Sequence, residues 1–348
     1  FFTGTFGEEG IKDFFVAIGR TGLEGACEEK LGVTLDSVSK LWKNSYVARY
    51  KTETNERSYV MPGKRIVTEE NGGRINISPS LSPNGKYICF LSEKNLFTTD
   101  LYLAEASSGT LIQKLFSAAK EGHIDQLNSL ESAGTWSPDS KRFAFSAFKN
   151  GRSVLIIKNI ENGKTLQEIS FKELPFFSNP SWSPDGKSIV VSGMVKGQTD
   201  LFLIDLKNKK TKPLCNTPFS EIHPDWSPDG KKIIYSTDEK SYLLHSGSGY
   251  WKFDLGLMEL STGERSILAI WPEANKLNPQ FDPSGNILFV CDRDGQNNVY
   301  RYKVDSSRLE QLSFSKTGIC GLTPFSPSIS VSGKRDRMVY SSYLNNSF

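Results

Sequence analysis

The chain has 348 residues, with 42 Lys and Arg against 39 Asp and Glu, a net charge of +3. That near balance excludes a domain built on phosphate neutralisation, so no nucleic-acid partner is expected. A 37% hydrophobic content excludes a disordered chain. No run approaches the ~18 consecutive apolar residues of a membrane span. Five widely spaced cysteines without a Cys-x-x-Cys make no disulfide framework. Cys89, Cys215 and Cys291 sit in apolar runs and read as small buried hydrophobes.

The first fifty residues read as helical. Ile11, Phe14, Phe15 and Ile18 fall on one helical stripe, and Leu23, Ala26, Cys27 and Leu31 mark a second short helix. Thr34 is placed to cap a third, carrying Leu35, Val38, Leu41 and Trp42. Three such helices bury too little surface to stand alone. The expected division is a helical segment over 1–50, a linker over 51–63 and a β domain over 64–348. The chain starts Phe1-Phe2-Thr3 and is expected to be a segment of a longer protein.

From residue 80 onward one motif recurs. It reads Ser-Leu-Ser-Pro-Asn-Gly-Lys at 80–86, Thr-Trp-Ser-Pro-Asp-Ser-Lys at 135–141, and Ser-Trp-Ser-Pro-Asp-Gly-Lys at 181–187. It continues as Asp-Trp-Ser-Pro-Asp-Gly-Lys at 225–231 and Gln-Phe-Asp-Pro-Ser-Gly-Asn at 280–286, with a degenerate copy at 328–334. The large apolar position falls at 81, 136, 182, 226, 281 and 329. Pro presets φ at the turn, Asp bonds forward to backbone N–H groups, and Gly takes the positive φ that reverses the chain. Each copy is therefore a hairpin turn between two strands. A third strand follows, as in Asp100–Leu103 or Asp200–Ile204, then a second turn and a short fourth strand. Four short antiparallel strands repeated every 44–55 residues are the pattern of β-propeller blades. The expected fold is all-β, a six-bladed β-propeller of four-stranded blades preceded by a small α-helical segment. The last blade is expected to be incomplete, its third strand lying at or beyond Asn345, or to be closed by Lys64–Thr68 as a strand.

On these six copies, residues 59–348 resemble the TolB-like family of WD-type repeat propellers. That resemblance implies a six-bladed bacterial propeller of the periplasm or cell envelope. It does not imply an activity, because such propellers share architecture more than function. Phe6–Ile11, Leu31–Asp36 and Leu41-Trp42 resemble the helical tail of peptidase-MA-type zinc metallopeptidase domains. The His-Glu-x-x-His motif of that family is absent from this chain, so the resemblance passes on no catalytic residue.

The residues offer little chemistry. The three histidines, His123, His223 and His245, make no His-x-x-x-His pair or zinc-type cluster with cysteine. Ser246–Gly249 misses the Gly-x-Ser-x-Gly elbow and reads as a flexible loop. Asp292–Asn298 has its Gly too early for a calcium loop and reads as a polar hairpin. No nucleotide-binding Gly-rich motif occurs. No catalytic residue, metal or cofactor is expected in this segment, whereas a missing upstream domain would decide whether the whole protein is a peptidase.

Candidate binding residues come from loop placement. Extra residues lie at Ser117–Ser132 and at Asp238–Lys252, the second containing Tyr242, His245, Tyr250 and Trp251. Strands alternate up and down, so both insertions reach the face opposite the Pro-Asp-Gly turns. Phe176, Phe177, Phe219, His223 and Trp271 are assigned to other loops of that face. Aromatics on a loop-bearing rim favour partner recognition. The function expected is non-catalytic protein binding or scaffolding within a larger envelope protein. Two alternatives stay open: an accessory domain that gates or presents substrate to an upstream metallopeptidase, and a glycan-binding propeller; a peptide or a glycan is the alternative partner to a protein.

Overall fold

The computed structural model describes residues 1–56, 63–95, 98–128, 134–244, 251–315, 317–335, 337–344 and 347–348. It divides into two compact units, Phe1–Tyr59 and Val60–Phe348.

In the first unit α1 spans Phe2–Ala26, a π-helical turn spans Cys27–Leu31, and α2 spans Leu35–Glu56. Gly7 and Gly22, both at φ 73, interrupt α1 with non-helical backbone, a conformation that glycine adopts without steric cost. Phe14, Ala17, Ala26, Cys27 and Val38 form the buried core, with Ile18 and Leu31 against it. Phe15 is 68% exposed, and Leu41 and Trp42 are also exposed. The helical stripe is thus narrower than expected, since only Phe14 of the Phe14-Phe15 pair faces inward. Thr34 acts as the expected cap: its Oγ1 accepts the Ser37 N–H at 3.3 Å.

The second unit is a β-propeller. Blade one is β1 (Asn76–Leu81), β2 (Tyr87–Ser92), β3 (Asp100–Glu105) and β4 (Leu111–Phe116), in the order β1-β2-β3-β4. Blade two contains β5 (Gln126–Leu127) to β9 (Thr165–Ile169). Among the described residues its inner edge is formed by β5 and β6 (Thr135–Trp136), which both pair with β7 (Arg142–Lys149). Blade three runs from β10 (Phe176–Trp182) to β13 (Lys210–Pro213), and blade four from β14 (Glu221–Trp226) to β17 (Arg265–Ile267). Blade five runs from β18 (Lys276–Phe281) to β21 (Arg308–Gln311).

The last copy makes only a two-stranded sheet, β22 (Ile329–Val331) with β23 (Met338–Tyr340). Among the described residues there are therefore five complete blades, not the six expected. The degenerate motif is also shifted. Ser332 N–H bonds the Arg337 carbonyl at 3.0 Å, as Ser82 does with Tyr87 and Ser183 with Ser188. The large apolar position is consequently Val331, not Ile329. Nor does 64–68 form a strand. Asn71 takes its polar groups instead, accepting the Thr68 N–H and donating to the Ile66 carbonyl, both at 2.8 Å. Such local side-chain bonds compete with a ladder. Ile66 and Val67 then pack as side chains on Leu81, Ile88 and Val339.

The turn chemistry is as the motif dictates. In blade three Ser183 Oγ donates to Asp185 Oδ1 at 2.6 Å and accepts the Ser188 N–H at 3.0 Å. Asp185 Oδ1 also accepts the Lys187 N–H at 3.0 Å. The same three bonds recur at Ser137–Asp139 and Ser227–Asp229. Ser140, which replaces the turn glycine of the second copy, sits at φ 60. The apolar cores lie between blades: Trp136 and Phe145 join Leu101 and Phe116, and Trp182 and Ile189 join Leu155 and Ile169.

Candidate functional site

The inner strands surround a channel with a cavity of about 400 Å³. Pro83, Pro138, Pro184 and Pro228 line it, so it lies toward the Pro-Asp-Gly turns. A recurring bulge shapes its wall. Ser78, Asn179, His223 and Asn278 all have φ between 49 and 54, and each immediately precedes a proline. The ladder register shifts at the same point in β1, β10, β14 and β18. An αL residue before proline is sterically unfavourable, and its recurrence in four blades makes the bulge part of the architecture.

The bulge turns His223 into the wall, where it is buried. Its Nδ1 accepts the Asn278 N–H at 3.3 Å, so the proton of the neutral ring sits on Nε2. Nε2 then donates to the Phe325 carbonyl at 2.8 Å. Burial pushes the His223 ring down to about 4, against the pull of the Phe325 carbonyl. Two residues on, Asp225 accepts the Phe281 N–H at 2.9 Å and the Ser181 hydroxyl at 2.9 Å. Burial pushes its carboxyl up to about 6, although both bonds favour the charged form. Sequence reading put His223 among the loops of that rim and, as a residue before a proline, at the channel mouth; the bulge buries it in the channel wall. The role of Asp225 was missed, and its place in the Asp-Trp-Ser-Pro motif was the available signal.

The other end of the blades carries the aromatic residues. Helix α3 (Glu239–Leu244) leads out of β15 (Lys232–Thr237). Tyr242 stands edge-on to Phe219 at 5.3 Å and to Trp251 at 6.4 Å. Trp251 Nε1 donates to Asp238 Oδ2 at 2.6 Å, which fixes the indole. Tyr242 and Trp251 remain 39% and 42% exposed, while Leu243 and Leu244 beside them are 65% and 72% exposed. Phe219 is buried and supports the cluster from beneath. His245 and Tyr250, with the whole of 245–250, lie outside the described residues.

The remaining candidates separate. Phe176 is exposed, whereas Phe177 is buried against Phe171. Alternate strand residues face opposite sides, so one of the pair had to turn inward. Trp271 packs on Tyr300 at 5.0 Å with the Arg293 guanidinium over its ring at 4.2 Å. Its surroundings are those of a blade-to-blade packing residue. Leu243 and Leu244 were not foreseen as site residues, and no pattern of chemistry marks them in the sequence. The cysteines are free, with Cys27, Cys89 and Cys291 buried and Cys215 only partly so. No helix among the described residues is long and apolar enough to cross a membrane, which says nothing of β-barrels.

Residues 119–242 match the family of the TolB beta propeller domain. TolB from Acinetobacter baumannii is 21% identical, over 70% of this chain and 57% of that one, with a TM-score of 0.54. A putative TolB from Agrobacterium tumefaciens is 20% identical, over 77% and 91% respectively, at 0.58. The β-propeller domain of the Trilobed protease from Pyrococcus furiosus is 16% identical, over 77% and 75%, at 0.50. No curated protein matches the chain. This chain spans little more than half the length of the Acinetobacter protein. The comparisons support the expected fold, a TolB-like β-propeller. The expected kinship of residues 1–50 to a metallopeptidase tail finds no support among them.

Proposed function

We infer that this chain is a protein-binding propeller of a bacterial envelope protein, engaging its partner through the face that bears α3. The observation that carries this reading is the Phe219–Tyr242–Trp251 cluster with Leu243 and Leu244 exposed beside it. An aromatic group anchored from below and open above has the form of an interface hot spot. The envelope compartment rests on the likeness to TolB proteins. Scaffolding is the use we propose for the same surface. A peptide segment could instead enter the channel cavity on the opposite face, where the Asp225 carboxyl keeps acceptor capacity beyond its two hydrogen bonds.

Capture of partners from the native host's envelope fraction tests the reading. Trp251→Ser with Leu243→Ser and Leu244→Ser should abolish capture while the melting midpoint stays within a few degrees. Retained capture in that variant, with loss on charge reversal at Lys187 and Lys231, would move the site to the Pro-Asp-Gly face.

A further inference from the structure

One blade junction holds a buried lysine–carboxylate pair, and the junction before it holds two carboxyls at the same positions. In blade four the third strand, β16 (Asp254–Glu259), begins with Asp254. Lys276, the first residue of β18 in the next blade, meets it at 2.8 Å. Both side chains are almost wholly buried. Lys276 stands five residues before Phe281, as Glu221 stands five before Trp226. Asp200, near the start of β12 (Gln198–Asp205), corresponds to Asp254. At the junction of blades three and four, therefore, a second carboxyl occupies the place of the ammonium.

The third member is Cys215, on the loop between β13 and β14. The Asp200 and Glu221 carboxyl oxygens and the Cys215 sulfur all lie within 4.8 Å of one another. Asp200 is 6% exposed and Glu221 is fully buried. Glu221 Oε1 is satisfied by the Thr217 hydroxyl at 2.7 Å and Arg265 Nη1 at 3.2 Å. Its Oε2 is buried and receives no hydrogen bond. The sulfur is an acceptor here, taking the Leu201 N–H at 3.3 Å. A buried carboxylate oxygen without a donor is costly, and two adjoining buried carboxylates require a proton or a cation between them. Burial chiefly, with the charge of Asp200, raises the Glu221 carboxyl against Thr217 and Arg265. Burial and Glu221 raise the Cys215 thiol.

We propose that Asp200, Cys215 and Glu221 form a structural site for a divalent cation of the zinc class, bridging blades three and four where blades four and five use Lys276. One sulfur and two oxygens within a few ångströms suit a borderline-soft ion, and a hard ion such as calcium would not select the sulfur. The charges close: Asp200, Glu221 and a Cys215 thiolate carry −3, against +2 for the ion and +1 for Arg265. Entry of the ion displaces the thiol proton and the proton held by the carboxyl pair, and both leave to solvent. The three ligands are 15 and 6 positions apart, so no short zinc-type spacing announces them.

Cobalt(II), which takes zinc positions and reports thiolate ligation by a near-ultraviolet charge-transfer band, tests the site on the unmodified chain. The expected result is that band at one cobalt per chain, its loss on adding zinc, and a melting midpoint raised by zinc chloride and restored by chelator. Cys215→Ser should lose the band while retaining the circular dichroism of the propeller. Glu221→Lys copies the Asp254–Lys276 pair and should lose the band with a midpoint indifferent to zinc. Absence of the band and of any midpoint shift in the unmodified chain would overturn the proposal, leaving a shared proton only. A band that persists in Cys215→Ser would also overturn it, because another cysteine would then be the ligand, and a band that persists in Glu221→Lys would overturn it by showing that Glu221 is no ligand.

Discussion

Ser330 Oγ accepts the backbone N–H of Leu81 at 2.9 Å across 249 positions of chain. The same geometry links successive blades elsewhere. The residue before the large apolar position accepts the N–H of that position in the next blade. Thr135 takes it from Trp182, Asp225 from Phe281, and Gln280 from Val331. The two-stranded last sheet thus joins the first blade by the same bond found at three other junctions. Ser332 Oγ adds a second tie by donating to the Pro83 carbonyl at 2.7 Å.

Ser330→Ala is expected to leave the buried Leu81 N–H without a partner, costing about 1–3 kcal/mol. Urea unfolding would read this as a lower midpoint with the slope unchanged. An unaltered midpoint would show that water replaces the hydroxyl and that closure does not depend on it.

Two motif tryptophans differ in one atom's environment. Trp136 and Trp182 are both 5% exposed. Trp136 Nε1 donates to the Ser80 carbonyl at 3.0 Å, whereas Trp182 Nε1 is buried without an acceptor. Trp182→Ala should cost about 3–5 kcal/mol, because the ring fills the junction of blades two and three. Trp136→Phe should cost about 1 kcal/mol more than Trp182→Phe, the difference being the hydrogen bond. Equal losses in the two Phe variants would refute the assignment.

His223 and Asp225 act on stability with opposite signs. The His223 pKa falls from 6.5 to about 4 on folding. The unfolded chain then binds more protons between those values, so stability rises with pH from about 4 to 6.5. The Asp225 pKa rises from 3.8 to about 6, so the folded chain binds more protons and stability falls with pH across that window. Each is worth on the order of 1–3 kcal/mol. Relative to the unmodified chain, His223→Gln should tilt the curve of unfolding free energy against pH downward toward neutral pH. Asp225→Asn should tilt it upward. Variants with parallel curves would show that neither group titrates on folding.

Lys276 has its Nζ on the Ile270 and Trp271 carbonyls at 3.0 and 2.8 Å and on Asp254 at 2.8 Å. Lys276→Met alone leaves Asp254 buried and unpaired and should cost about 3–5 kcal/mol. Adding Asp254→Leu should recover a large part of that loss, since an apolar pair of similar volume is often neutral. A double variant no better than the single one would locate the cost in the two carbonyls instead.

The sequence by itself determined the repeat, the turn and the fold class. These rest on bonds that span at most five residues, such as Ser183 to Ser188 and Asp185 to Lys187. A motif that short contains every partner its geometry needs. The N-cap at Thr34 was legible for the same reason. Whether the sixth copy builds a whole blade stayed open, because a motif copy specifies a hairpin and says nothing of whether further strands join it. Nor could spacing alone reveal that Phe177 turns into the core beside an exposed Phe176, or that an αL bulge swings His223 into the channel. The tertiary structure also placed Glu221 where the next blade has Lys276, and brought Asp200 and Cys215 to it. Those relationships depend on the stacking of one blade on the next, between residues that the local turn chemistry leaves free to vary.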